Sequence, residues 1–472
     1  MNKTKIICTI GPASDNKVTF TELVQNGLSV ARLNLSHEDN DYRLGVINMI
    51  KEVREELAEP VALLFDTRGP EIRTKYFVDG KVKLVAGEEV RLCVGDFEGT
   101  AERFCITYPN LYKETSVGTT ILLDDGLLDI KVTAIDGKEI VCEVVNGGIL
   151  KNRKGINIPG KDVDLPILTA DDEIDLIFGI EQGMDYVAAS FIRNKADLLA
   201  IRAHLDNNGG EHVHIISKIE SQTGVDNIME IIEHSDGIMV ARGDLGVELP
   251  AEEIPILQKA IIAKCNQSGV PVITATQMLE SMCNNPRPTR AEVSDVANAI
   301  YDGTDAIMLS GETAAGDYPV EAVKTMKRVA IKTEAQADFE SIYKKITVSL
   351  EKSVTNAVSY ASCTTAKHLG ATAIICPTFS GKTARLISMF RPEALIIAPT
   401  INPIAERQLN LLWGVKPVIL KAESSADLLF YKSARVAKNL GLVKAGDTVV
   451  ITAGVPLNTK GATNLMKIMT VE

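Results

Sequence analysis

Paired cysteines, a surplus of cations and long apolar runs are all missing from this sequence. Its eight cysteines (Cys8, Cys93, Cys105, Cys142, Cys265, Cys283, Cys363, Cys376) include no C-x-x-C pair. That spacing argues against a zinc site or a disulfide framework and for reduced thiols in a cytoplasmic protein. Lys and Arg number 50 against 62 Asp and Glu, for a net charge of -12 and a pI near 5.2. A nucleic-acid or anionic-membrane surface needs clustered cations, so neither partner is expected, and any anionic ligand must be held by local cations or metals. No run is long enough to span a bilayer. The opening "MNKTKIICTIGP" lacks the apolar core of a signal peptide and reads as the first strand of the fold. What remains is ordinary globular composition, 45% hydrophobic and 24% charged, over 472 residues, enough for more than one domain.

Three zones separate by periodicity. Residues 1–69 alternate strand and helix: "KIICTIG", a helix near 17–26, "SVARLNLS", a helix near 40–57, then "VALLFDTRGP". Residues 70–167 carry short alternating runs such as "KVKLV", "TTILLDD" and "EIVCEVV" between Gly and Asp turns, which predicts a small inserted β-barrel. From 168 to 338 the βα rhythm returns with strands at "DYVAASFI", "VHIISKIE", "GIMVARGD", "VPVITATQ" and "DAIMLSGE". Three early and five later strands make eight, in about 240 residues, near the ~250 of a (β/α)8 TIM barrel. Their continuous apolar runs suit parallel strands buried on both faces. Residues 339–472 read as a C-terminal open α/β sheet of about five strands.

In such a barrel the C-terminal strand ends carry the chemistry. Polar residues appear there: Arg32, Asn34, Ser36; Asp66, Thr67; Lys218, Glu220; Arg242, Asp244; Thr276; Ser310, Glu312. Lys218 and Glu220 lie two apart on one strand and so share a face. Glu220 and Asp244 can hold Mg2+, which takes one or two carboxylates with water and substrate oxygens; equally, Lys218–Glu220 and Arg242–Asp244 can be plain ion pairs. Lys218 can serve as a desolvated Schiff-base amine or as a fixed cation that stabilises a phosphoryl group, and the nearby carboxylate favours the cation. Asn34, Ser36, Asp66 and Thr67 offer one carboxylate among neutral oxygens, a set suited to a monovalent cation, although Asn and Ser are also ordinary turn residues. "SGKT" at 380–383 lacks the glycine of a P-loop, Cys376 standing in its place. Ser380, Lys382 and Thr383 at a helix start still make either a phosphate cradle or a simple N-cap. "HVH" at 212–214 has no further ligands for zinc, and Trp413 reads as packing.

The stretches "TKIICTIGPAS", "ARLNLSH", "DTRGPEIRT", "NRKGINIPG", "HIISKIE", "DGIMVARGDLGVE", "ITATQMLESM", "NPRPTRAEVSDVANAIYDGTDAIMLSGETAAGDYP" and "SGKTAR" closely resemble the pyruvate kinase family, in the family's order and along nearly the whole chain. The resemblance implies a catalytic barrel, a lid-like β domain and a regulatory C-terminal domain. It implies phosphoryl transfer from phosphoenolpyruvate to ADP, giving pyruvate and ATP, usually in a homotetramer, without the extra C-terminal domain that some bacterial members carry. Glu220 and Asp244 would then hold Mg2+ (or Mn2+), with Lys218 steadying the phosphoryl group. Arg32, Gly243, Asp244 and Thr276 look like substrate contacts, with Thr276 at the end of a proton route. Asn34, Ser36, Asp66 and Thr67 look like K+ ligands, Asn34 also lying among the nucleotide contacts with His37, Arg73 and Lys154. Glu71 is the residue associated in the family with K+ dependence. Thr378, Ser380, Gly381, Lys382 and Thr383 resemble the loop that takes a sugar-phosphate effector, and "GVPLNTKGATN" keeps Lys460 and Gly461 without an effector-binding arginine. Arg68 and Glu38 depart from the family pattern beside the site, where a change of residue can alter nucleotide affinity. A Mg2+-dependent lyase or aldolase would share Lys218, Glu220 and Asp244 but need no ADP; a catalytically dead sensor would need none of them.

Overall fold

A computed structural model describes residues 2–36, 39–161, 163–339, 342, 352–457 and 463–472. Eight parallel strands close into a barrel: β1 (Lys5–Thr9), β2 (Leu28–Asn34), β3 (Ala62–Asp66), β4 (Tyr186–Ala189), β5 (His214–Ile219), β6 (Gly237–Ala241), β7 (Val272–Ala275) and β8 (Ala306–Leu309). Each pairs with its neighbours in sequence, and β8 returns to β1. Inward residues such as Ile7, Leu64, Ile216, Met239 and Met308 fill the interior, while the alternate residues pack on the surrounding helices. Helix starts are set by side-chain caps: Asn16 accepts from Thr19 N, and Thr169 and Thr289 form reciprocal capping boxes with Asp172 and Glu292.

The insertion leaves the barrel just after β3. Gly69 turns there with φ +72°, and a Cβ on it would lie 2.8 Å from both Ser190 and Phe191, so glycine alone fits. Beyond it a curled seven-stranded sheet and a two-stranded ribbon enclose their own core, which includes Phe77, Phe104 and Ile121. The chain re-enters the barrel at the capped helix Ala170–Glu181.

In the C-terminal unit, strands Val415–Ile419, Leu395–Thr400, Ala373–Ile375 and Thr448–Ala453 run parallel, and Leu465–Thr470 adds an antiparallel edge, giving a mixed sheet. This unit packs under the N-terminal end of the barrel. Leu411 joins the barrel's interior cluster, Arg407 pairs with Asp185 at 2.8 Å, and Arg391 pairs with Asp305 at 2.7 Å. Trp413 is buried beneath the cations of Lys3 and Arg391. No helix among the described residues is long and apolar enough to cross a membrane.

At this seam Lys5 donates to Val415 O at 2.6 Å, and burial, reinforced by Lys416, pushes its pKa down to about 7. Between that value and the ordinary 10.5 the unfolded chain holds a proton that the folded chain has released. Stability from this group is therefore present at high pH and lost as pH falls through about 7. Relative to Lys5→Met, the native protein should gain about 1 kcal/mol per pH unit from pH 7 to 9 in urea titrations; parallel curves for the two proteins would remove Lys5 as the cause.

Candidate active site

The side chains of Lys218 and Glu220 leave the end of β5 on the same face and meet at the barrel's C-terminal mouth. Lys218 Nζ lies 2.8 Å from Glu220 Oε1 and 3.1 Å from Asp66 Oδ1, and donates to Ser190 Oγ at 2.9 Å. Burial alone would depress this amine's pKa, but Asp66, Glu220 and Asp244 outweigh it and hold the pKa above the ordinary lysine value. Lys218 is thus a cation locked by carboxylates, not a neutral Schiff-base amine. Burial, with Asp244 adding to it, pushes the Glu220 carboxyl up to about 8 against the opposing pull of Lys218. Glu220 Oε2 accepts from Phe191 N at 2.6 Å. Its Oε1, in ion-pair contact with Lys218, has no other partner among the described residues.

Asp66 is the hub. It accepts from Arg32 Nε at 2.7 Å as well as facing Lys218, and these two cations overcome burial to hold its pKa below the usual carboxylate range. Arg32 Nη1 also donates to Thr9 Oγ1 at 2.8 Å. Ser190 and Thr9 were missed as site residues, although each ends an apolar strand run and so obeys the rule that picked out the others. Asn34 and Asp66 are register partners on β2 and β3, and Ser36 N donates to Asn34 Oδ1 at 3.1 Å. Thr67 lies on the adjoining turn, accepting from Ser190 at both Oγ1 and its carbonyl. The four K+ candidates are therefore neighbours at two adjacent strand ends.

Of the two ion pairs that stood as the alternative to a metal site, Lys218–Glu220 forms and Arg242–Asp244 does not. Residues Arg242–Glu248 are helical, and positions two apart on a helix point in different directions. Arg242 instead pairs with Asp295 at 2.7 Å and donates to Ala275 O and Thr276 O at 3.2 and 2.6 Å. Asp244 has no ion-pair partner among the described residues. Thr276 is held in the left-handed region at φ +66°, a strained state for a β-branched residue. The Arg242 clamp and the Gly243 N–H, which donates to Thr276 Oγ1 at 2.7 Å, keep it there. Glu312 accepts from Leu279 N and Ser310 N at 3.0 and 2.7 Å.

Between the mouth and the lid opens a cleft of about 380 Å³. Its lining brings Arg73 and Lys154 of the lid together with Glu71 and Asp244. Arg73 Nε donates to Glu71 Oε2 at 2.7 Å and Lys154 pairs with Asp124 at 2.7 Å. His37 and Glu38 lie outside the described residues. Arg68 does not line the cleft; it points to Asp171 and Asp175.

In the C-terminal unit, Thr378 Oγ1 accepts from Gly381 N at 3.0 Å, and Gly381 turns at φ +83° into helix Lys382–Met389. Ser380 and Lys382 are exposed, while Thr383 is buried with its hydroxyl 2.8 Å from that of Thr463. Lys460 and Gly461 lie outside the described residues.

Glu220 Oε1, whose one close partner is the Lys218 ammonium at 2.8 Å, and Asp244, without an ion pair among the described residues, are the donor set a hard divalent cation takes, so these residues fit Mg2+ or Mn2+. Asn34, Ser36, Asp66 and Thr67 fit a monovalent cation, with Asp66 already shared between Arg32 and Lys218.

Two family models match the chain: pyruvate kinase, barrel domain, over residues 1–323, and pyruvate kinase, alpha/beta domain, over residues 356–469. A pyruvate kinase of Geobacillus stearothermophilus is 50% identical over 468 residues, covering 99% of this chain and 80% of the relative. One from Staphylococcus saprophyticus is 50% identical over 470 residues with the same coverage of both chains. A crystal structure of a pyruvate kinase from Cryptosporidium parvum superposes with a TM-score of 0.95 at 40% identity, covering 100% of this chain and 96% of that one.

Proposed function

The chain belongs to the pyruvate kinase family and is an enzyme of glycolysis; from that premise we propose that it transfers the phosphoryl group of phosphoenolpyruvate to ADP at the barrel mouth, through the residues described above. The observation that carries this reading is the Lys218 ammonium, held 2.8 Å from Glu220 and 3.1 Å from Asp66. Glu220 and Asp244 would hold Mg2+ (or Mn2+), and Asn34, Ser36, Asp66 and Thr67 would hold K+; when bound, these ions offset the charge of the transferring phosphoryl group.

The chain's own residues supply the rest. Arg32 and Lys218 bind and orient the phosphate of phosphoenolpyruvate, and the Gly243 N–H and Asp244 bound the substrate on the β6 side. Arg73 and Lys154 place the nucleotide diphosphate in the lid cleft, and Asn34 and His37 would be its further contacts. As the bond from phosphorus to the enol oxygen breaks and a new one to the terminal ADP oxygen forms, Lys218 stabilises the charge left on the enolate oxygen. The enolate carbon then takes a proton from the side of Thr276, whose hydroxyl accepts from the Gly243 N–H and donates to Ala275 O. The lid, tied to the barrel where Asn157 donates to Glu248 at 3.2 Å, excludes water from the intermediate. We place the enzyme in the cytoplasm as a homotetramer, with Thr378, Ser380, Gly381, Lys382 and Thr383 receiving a sugar-phosphate activator.

Coupled pyruvate formation tests the assignment. Release from phosphoenolpyruvate should require ADP, Mg2+ and K+ and should rise with sugar phosphates; release without ADP would point to a lyase, and no turnover to a sensor. Glu71 is half-buried, and Asp244 joins burial in raising its pKa while Arg73 opposes them. Glu71→Lys puts a fixed cation in this position and should abolish most of the K+ requirement, whereas an unchanged K+ dependence counts against the monovalent site.

A further inference from the structure

Arg68 spreads its guanidinium over three acceptors. Nε donates to Leu35 O at 2.8 Å, Nη1 to Asp171 at 2.7 Å and Nη2 to Asp175 at 3.2 Å, while its own N–H donates to Asp172 Oδ1 at 2.9 Å. Leu35 O also accepts from the buried Arg43, whose Nη2 lies 2.6 Å away and whose Nη1 reaches Asp175 at 2.8 Å. On its other side Leu35 donates its N–H to Asp66 O at 3.0 Å. Both peptide groups flanking Leu35 are therefore fixed, and Leu35 sits between Asn34 and Ser36.

We infer that Arg68 is a positioning residue for the monovalent-cation site: with Arg43 it clamps the Leu35 peptide and so presets the oxygens of Asn34 and Ser36. The inference rests on the K+ reading proposed above. A large, weakly hydrated cation gains little from each neutral oxygen, so its affinity depends on how much of the cage is ordered before it arrives. The three acceptors of Arg68 lie in different directions, which suits a rigid planar fork with separate donors. A lysine has one nitrogen and cannot reach Leu35 O, Asp171 and Asp175 together. Because Asp171, Asp172 and Asp175 all lie on the helix by which the chain re-enters from the lid, the same clamp ties the K+ turn to the lid's return.

The test uses the full-length enzyme with Arg68→Met and Arg68→Lys. Tl+ serves as a spectroscopic K+ substitute, its binding read by 205Tl NMR, beside K+ titrations of turnover. Arg68→Met should weaken Tl+ binding and raise half-saturating K+ by about tenfold, the size of one lost charge-assisted hydrogen bond. Arg68→Lys, with one nitrogen for three acceptors, should recover only a small part of that loss, and KM for phosphoenolpyruvate at saturating K+ should stay near the native value. Wild-type protein that binds Tl+ while Arg68→Met binds it equally well overturns the clamp alone. Wild-type protein that neither binds Tl+ nor responds to K+ overturns the cation site and the clamp with it.

Discussion

Lys218→Met should lower kcat by about 10³-fold or more while leaving Mn2+ and phosphoenolpyruvate binding within a few-fold of native. The ammonium is the buried cation that touches both Asp66 and Glu220, and Arg32 continues to neutralise Asp66 when it is gone. What the variant loses is charge placed where the enolate oxygen develops its own, an interaction worth more in the transition state than in the bound substrate. Leaving Glu220 without its cation also costs stability, about 3 kcal/mol for a broken buried pair. The assay therefore runs beside a urea titration and a direct Mn2+ measurement by electron paramagnetic resonance. A folded, Mn2+-binding Lys218→Met enzyme that turns over near the native rate would remove Lys218 from the chemistry. A loss that appears in KM alone would confine Lys218 to holding the substrate phosphate, with no share in the chemistry.

How much of this site could be read from the sequence depends on which direction the information runs. Along a strand it is legible. Apolar runs such as "IICTI" and "GIMVA" mark strands buried on both faces, and the two-residue period alone puts Lys218 and Glu220 on one side of β5. Across strands it is not. Asp66 meets Lys218 from β3, two strands away, because Asp66 pairs with Ala188 and Ala189 pairs with Ser217. That register is fixed by barrel closure and has no local signature. Arg242 and Asp244 show the opposite failure: their spacing suggests a pair, but the strand ends at Ala241 and a helix begins at once, so the two side chains diverge. The left-handed turn at Thr276 is equally silent, since it is imposed by Arg242 from a different strand end. The direction of the C-terminal strand Leu465–Thr470 is also silent: its apolar residues mark a strand, but nothing in them says that it runs antiparallel at an exposed sheet edge.

The register that brings three carboxylates around one ammonium leaves an imbalance, and Glu220→Gln should expose it. Asp66 is matched by Arg32, whereas Glu220 and Asp244 share only what remains of Lys218, so burial and Asp244 together raise the Glu220 pKa. A divalent cation between Glu220 and Asp244 relieves that repulsion, which is the physical reason the pair should bind one at all. Glutamine keeps an acceptor for the Phe191 N–H and keeps the shape, but it removes half the site's anionic charge. Half-saturating Mg2+ should therefore rise by about 10²-fold, with kcat partly restored at high Mg2+, and Mn2+ affinity measured without substrate should fall in parallel. Because the substitution also relieves carboxylate repulsion in the metal-free protein, Glu220→Gln should match or exceed the native stability in the presence of EDTA. That separates it from a variant that merely unfolds the mouth. Unchanged Mg2+ demand in a stable Glu220→Gln enzyme would show that Lys218 and Glu220 form an ion pair and nothing more.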